Sequence, residues 1–288
     1  MNTRITDIVV AGGTTGMGKG IAMHYLSLGC NVTVIGSTSA RGMELRKEAE
    51  KLGAANRLRF IQADLMSVSE NYRVVKEIKA THKRLDALIL TAMKPFPMRV
   101  ETEDGFEGTL SLYYVSRFIL SYGLTELLEK GEDPIIVSLG GTGVIKGKMH
   151  WEDMTLIKKY SLLTAMKQAN CANDLQGVGY AENHKGGKIK FVLNHPGYTN
   201  SGLGHMKQPI RSIMKVLATL FAQSVEKSIK PIIELIDTPP NQPLIAWNRS
   251  KLVELTDEIF DVNNAKRLYE LTKYLVADYS GINIGNNQ

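Results

Sequence analysis

Ile5-Thr6-Asp7-Ile8-Val9-Val10-Ala11-Gly12-Gly13-Thr14-Thr15-Gly16-Met17-Gly18-Lys19-Gly20-Ile21-Ala22 is the stretch that decides the fold. Residues 5–11 read as a short buried strand, and Ile21, Ala22, Tyr25 and Leu26 give a helical face directly after. Gly12, Gly16 and Gly18 stand between them, with Thr14, Thr15 and Met17 in the intervals. Glycine permits the tight turn and lets backbone N–H groups and the helix N-terminus approach an anion closely. Strand, glycine loop and helix in that order form a pyrophosphate cradle on a parallel sheet.

Outward from the loop, apolar strand-like runs alternate with amphipathic helical stretches. That is the mark of a parallel sheet covered by helices. Candidate strands are Ile5–Ala11, Asn31–Gly36, Leu58–Ala63, Ala87–Thr91, Pro134–Leu139 and Lys188–Asn194, with a shorter seventh at Pro243–Trp247. Helices are expected to begin near Met17, Ala40 and Val68. A long one is expected over Asp104–Lys130, where Phe106, Leu110, Tyr113, Tyr114, Phe118, Leu120, Leu124 and Leu127 recur at helical spacing. The expected fold class is α/β: a doubly wound parallel sheet (Rossmann fold) of about seven strands, one domain over residues 1–288. Residues 201–223 begin with glycines and polar residues and turn into an apolar helical pattern. They read as a substrate lid, as a packed surface helix or as a membrane-touching helix, with the lid preferred.

Composition bounds the function. The 288 residues are 43% hydrophobic and 22% charged, as in an ordinary globular protein. The net charge of +6 is scattered in singlets and doublets such as Lys158-Lys159. A basic stripe interleaved with aromatics is missing, so an anionic cofactor fits the charge better than nucleic acid. No apolar run reaches the roughly 18 residues a membrane span needs, and no signal-peptide pattern opens the chain. Cys30 and Cys171 read as reduced core residues of a cytoplasmic protein, and no His/Cys/Glu cluster calls for a metal.

The spacing Gly-x3-Gly-x-Gly within Val10-Ala11-Gly12-Gly13-Thr14-Thr15-Gly16-Met17-Gly18-Lys19-Gly20-Ile21-Ala22 resembles the short-chain dehydrogenase/reductase family. Five further segments in the right order extend the resemblance over nearly the whole chain. Asp64-Leu65 ends the third strand, where the family places an acidic residue against adenine. Leu85-Asp86-Ala87-Leu88-Ile89-Leu90-Thr91-Ala92 resembles the strand carrying the family's Asn-Asn-Ala-Gly. Tyr160 falls where the catalytic tyrosine begins its helix. Asn194-His195-Pro196-Gly197-Tyr198-Thr199-Asn200-Ser201 resembles the Pro-Gly segment beside the nicotinamide. The tail Ala265–Lys273 looks like the ending of the retinol-dehydrogenase-like branch. The resemblance implies a small-molecule substrate and a dinucleotide held by Gly12, Thr14, Thr15, Gly16, Met17, Gly18, Asp64, Leu65, Ala92, Pro196, Gly197 and Ser201. Relatives pair through two long helices, here 104–130 and 154–176, so a homodimer is the expected assembly.

The form of the cofactor is read from the second strand. An acidic residue at its end would bind the adenosine ribose and repel a 2′-phosphate. Val32-Thr33-Val34-Ile35-Gly36 ends without one and runs into Ser37-Thr38-Ser39-Ala40-Arg41. Hydroxyls plus Arg41 at a helix start make a phosphate nest, which favours NADP(H) over NAD(H). The alternative makes Ser37 and Ser39 helix caps and Arg41 a solvated side chain.

At the catalytic positions the family pattern frays. Carbonyl reduction needs a hydride and a proton for the developing alkoxide. The family's acid is a tyrosine tuned by a lysine one turn later, with a serine on the fifth strand. Tyr160 fits the acid, but its i+4 partner is Thr164. Gly141 of Ser138-Leu139-Gly140-Gly141-Thr142-Gly143 falls at the serine position, and Tyr113 takes the place of an asparagine. Thr142 (or, more weakly, Ser138) stands as substitute hydroxyl and Lys167 as substitute cation; the plainer reading leaves Lys167 solvated and Thr142 bonded locally. His195 is either an acid/base or a backbone partner. His150 and Trp151 are candidates for a substrate pocket. Two functions stay open: an NADP(H)-dependent reductase of a small to medium apolar carbonyl or enone with Tyr160 as donor, or a protein that binds the dinucleotide for sensing or non-redox chemistry.

Overall fold

The computed structural model describes residues 4–197, 224–256 and 258–277. The strands are β1 Asp7–Ala11, β2 Asn31–Gly36, β3 Leu58–Gln62, β4 Ala87–Leu90, β5 Ile135–Leu139, β6 Lys190–His195, β7 Leu244–Asn248 and β8 Lys251–Val253. They lie in the order β3-β2-β1-β4-β5-β6-β7-β8. All neighbours are parallel except the last pair, where Trp247 faces Leu252. The seven expected strands are present within a residue or two, and β8 is an eighth that folds back on the edge. The order reverses between β1 and β4, and that crevice at the carboxyl ends is where such sheets bind ligands.

Both faces of the sheet are apolar because helices cover both. Ile8, Val10, Val32, Val34, Ile89, Val137 and Val192 pack under α1 (Gly16–Ser27), α2 (Ser39–Lys51) and the later α8 (Val225–Asp237). Val9, Ile35, Leu88, Leu90, Ile136 and Leu193 face α3 (Val68–Thr81) and the helices that follow.

The long helix expected over 104–130 is broken into pieces. A turn, α4 (Gly108–Leu110), passes through a π-helical segment, Ser111–Val115, into α5 (Ser116–Gly123) and then α6 (Thr125–Leu128). The buried Glu107 carboxylate caps the start, accepting from Thr109 N and Leu110 N at 2.9 Å each. The helix expected from 154 begins later, as α7 (Leu162–Asn183), capped by Ser161. Residues 151–160 form turns instead.

The last helix, α9 (Val262–Leu275), lies against α5 and α7. Tyr114 Oη and Thr272 Oγ1 are 2.7 Å apart, and the Tyr269 ring packs tilted against Phe118 and Tyr122 with centroids 5.7 and 5.1 Å away. The faces of α5 and α7 toward α9 are filled from within the chain. Residues 201–223, read as a lid, and Ser201 lie outside the described residues.

Candidate active site

The glycine loop joins β1 to α1 in a form that excludes side chains. Gly12 has φ +83, and a Cβ on it would lie 2.6 Å from Ala92 N. A Cβ on Gly18 would lie 2.5 Å from both Gly12 O and Thr91 Oγ1. Thr91 locks the turn by donating to Ala11 O at 2.8 Å. Thr14 packs on Gly36, where a Cβ would come within 2.7 Å of its methyl group. Thr15 precedes α1 without capping it through its side chain, and the first turn carries no acidic residue. A helix start with no side-chain cap and no carboxylate is a place where an anion is favoured. These features fit a dinucleotide pyrophosphate.

The adenosine end is as open. Thr38 precedes α2 in extended conformation with no side-chain cap bond and no acidic residue in the first turn. Ser37 is exposed at the end of β2 and Arg41 lies in the first turn of α2. Asp64 is exposed past the end of β3, with Oδ1 accepting from Met66 N at 3.0 Å, while Leu65 is core.

Between the glycine loop and the ends of β5 and β6 lies a cavity of about 240 Å³. Met17 and Thr91 border it on the cofactor side; Gly140, Gly141 and Ile145 form its floor; His195, Pro196 and Gly197 close the β6 side. Met93, Pro95 and Met166 make its other walls largely apolar, and the polar groups facing it include Thr109, Tyr113, Asn170 and Lys94. His195 is 3.0 Å from Gly140 O through Nδ1, and burial holds its pKa below the usual imidazole value.

The substitutes for the missing catalytic groups do not gather there. Tyr160 sits two residues before α7, half-buried, and its hydroxyl donates to Phe96 O. Burial first, and the Glu107 charge second, raise its pKa, opposite to the tuning a phenolic acid receives from a lysine. Thr142 is fully buried and donates to Asp174 Oδ1 at 2.5 Å, directed inward. Ser138 donates to Asn173 Oδ1 at 2.6 Å. Lys167 is exposed on α7, between the cavity residues Met166 and Asn170, but is not itself in the cavity wall. Trp151 packs instead against Arg267 of α9, with the guanidinium 4.3 Å from the ring centroid, and His150 N bonds Gln168. A serine in place of Gly141 would require its neighbours to shift: a Cβ would lie 2.6 Å from Ile145 and 2.9 Å from Asn170 Oδ1.

What the structure gathers instead is a buried network under the cavity floor. Arg117 of α5 is 1% exposed. It donates to Ser138 Oγ at 2.9 Å, Leu139 O at 2.8 Å, Asn173 Oδ1 at 2.9 Å and Ala92 O at 3.2 Å. Its guanidinium carbon lies 4.1 Å from the centroid of the Tyr113 ring. Asn170 accepts from Gly141 N at 2.6 Å and donates to Ile145 O at 3.0 Å, pinning the floor. Asp174, fully buried, has its pKa pushed up to about 7, burial outweighing its hydrogen bonds and the Arg117 charge. The sequence held a signal for Arg117: a charge inside the apolar stripe Leu110-Tyr113-Tyr114-Phe118 is buried and must be paired. Among the described residues no cluster of metal ligands occurs.

A family model described as short chain dehydrogenase matches residues 6–155. The chain therefore belongs to the short-chain dehydrogenases, a family of NAD(P)-dependent oxidoreductases. It is 27% identical to Retinol dehydrogenase 11 of Mus musculus over 74% of this chain and 66% of that protein. It is 24% identical to Polyprenol dehydrogenase of Mus musculus over 80% of this chain and 71% of the relative. The chain thus spans about two thirds of the length of these relatives. NADPH-bound carbonyl reductase from chicken fatty liver shares the fold with a TM-score of 0.65 at 16% identity, over 87% of this chain and 99% of that one. The Pseudomonas aeruginosa RhlG/NADP complex also has a TM-score of 0.65, at 19% identity, over 85% of this chain and 95% of that one. No helix among the described residues is long and apolar enough to cross a membrane.

Proposed function

We propose that this chain is an NADP(H)-dependent oxidoreductase that reduces the carbonyl or enone of a small to medium apolar molecule. The observation that carries this reading is the largely apolar cavity at the carboxyl ends of β4–β6, bordered by both the glycine loop and Pro196-Gly197. A substrate there would lie beside the nicotinamide of a dinucleotide whose pyrophosphate occupies the start of α1. A bound reduced nicotinamide supplies the hydride; the chain has to hold the carbonyl, exclude water and deliver a proton. Gly12, Thr14, Thr15, Gly16, Met17 and Gly18 hold the cofactor in this reading, with Ala92, Pro196, Gly197 and, by sequence, Ser201 beside the nicotinamide. Asp64 and Leu65 flank the adenine.

NADP(H) is preferred because the end of β2 carries no carboxylate, while Ser37 and Arg41 stand at an uncapped helix start. The NADPH-bound chicken carbonyl reductase and the RhlG/NADP complex agree with this preference. A cytoplasmic setting fits the two free, buried cysteines.

A second reading, in which the cofactor is bound but no hydride moves, is favoured by one observation: Gly141 puts no hydroxyl on the cavity floor where the family has a serine. The experiment supplies NADPH with a panel of aldehydes, ketones and enones and follows the absorbance of the reduced nicotinamide. Turnover supports the first reading; tight NADPH binding by calorimetry without any turnover selects the second. Tyr160 could deliver the proton only after giving up Phe96 O. Tyr160→Phe tests that role: turnover lost with NADPH affinity retained assigns the proton to Tyr160, and turnover retained moves the donor elsewhere.

A further inference from the structure

We propose that Tyr113 is the phenol that touches the substrate carbonyl oxygen and gives it the proton, with buried Arg117 as its fixed countercharge. The inference rests on the redox reading above and concerns the same cavity.

Three observations place Tyr113 there. It borders the cavity, and its Oη lies beside the floor: a Cβ on Gly140 would be 3.2 Å from that oxygen. Its backbone belongs to the π-helical segment Ser111–Val115, which widens the helix by one residue and swings a side chain out of α-helical register. One turn later Arg117 returns under the ring, held by four hydrogen bonds to Ser138, Leu139, Asn173 and Ala92. A cation over an aromatic face is attracted to the neutral ring and more strongly to the phenolate, because opposite charges at short range favour the ionised form. Burial opposes this and raises the Tyr113 pKa, while the Arg117 charge pulls it down. A donor in such a site stays protonated until the carbonyl oxygen becomes basic.

The step balances. The carbonyl carbon accepts a hydride from a reduced nicotinamide dinucleotide, which leaves oxidised. The C=O π pair moves onto oxygen, and that oxygen takes the hydroxyl proton of Tyr113. The phenolate, facing Arg117, regains a proton from solvent after product leaves. Arg117 acts through Tyr113, to which it hydrogen-bonds, and is a positioning residue.

Tyr113→Phe keeps the ring over Arg117 and removes only the hydroxyl. With NADPH and octanal, kcat should fall about a hundredfold, the scale of a positioned acid, while the NADPH dissociation constant is unchanged. Octanamide, a carbonyl that is not reduced, should bind the NADP-loaded variant about tenfold more weakly than the native protein, as a lost buried hydrogen bond predicts. Equal octanamide affinity in the two proteins, or a kcat within about threefold of native, overturns the assignment. Native protein that fails to reduce octanal yet keeps the octanamide difference would sink the redox reading and leave the Tyr113 contact standing. Arg117→Lys should recover kcat relative to Arg117→Gln, both checked for folding by thermal melts; equal kcat in the two removes the countercharge from the proposal.

Discussion

The two halves of the site are built by different means. On the β1–β3 side, recognition is made by backbone: three glycines, a helix start without a side-chain cap and Thr91 closing the turn. On the β4–β6 side it is made by side chains that depend on one another. Arg117 ties β4, β5 and α7 together, Asn170 pins the floor and Glu107 sets the start of α4. The difference teaches why one half keeps its family pattern while the other departs from it. A phosphate cradle asks for the absence of Cβ atoms, and few residues meet that demand. A proton donor and its countercharge can be supplied from several positions, provided the buried charge is fully bonded.

The largest break would come at the cradle. Gly18→Ala sets a methyl group 2.5 Å from Gly12 O, which is backbone and cannot yield cheaply. NADPH affinity, read by calorimetry, should drop on the order of a hundredfold or more, about 3 kcal/mol; an affinity near native would show that the loop is not the pyrophosphate site.

Restoring the family residue in the other half should harm it. Gly141→Ser forces a side chain against Ile145 and Asn170 and should cost about 1–3 kcal/mol as overpacking, a drop of several degrees in Tm. An unchanged Tm would mean that the floor relaxes and that a serine is tolerated there after all.

Asp174 supplies a test by pH. Burial pushes its folded pKa up to about 7, above the usual carboxylate range, so the folded state prefers the protonated form. The stability linked to this group is fully present below pH ~4 and is lost as pH rises through about 7. Asp174→Asn should flatten that part of the profile and raise stability, relative to native, at pH 8; denaturant melts across the range check it, and an unchanged slope would show that the carboxylate is already ionised in the network.

The smallest effect returns to the first half. Arg41→Ala should weaken NADPH about tenfold, near 1.4 kcal/mol, and leave NADH unchanged; equal losses for both would assign Arg41 a structural role and reopen the cofactor preference.

Legibility followed the same division. The seven parallel strands were readable because each is an apolar run between turn signals, and a strand buried on both faces leaves few alternatives. The end of the chain was less readable: α9 carries a retinol-dehydrogenase-like pattern, but its packing on α5 and α7 is a contact between distant segments. The break in the long helix was hidden because a π-helical turn keeps the same apolar residues and alters only their register by one. Thr142 and Tyr160 looked available as a hydroxyl and a phenol. Only neighbours far along the chain, Asp174 and Phe96, commit them elsewhere.

From the sequence alone came the sheet, the glycine loop between β1 and α1 and the missing carboxylate after β2. These are local properties, fixed by which residues tolerate a turn, a strand interior or a close anion. The tertiary structure decided which polar groups share a cavity. Tyr113 and Arg117 are one turn apart on a helix, but Ser138, Asn173 and Ala92 reach the guanidinium from three other segments. A buried charge is stable only when all of those partners arrive together.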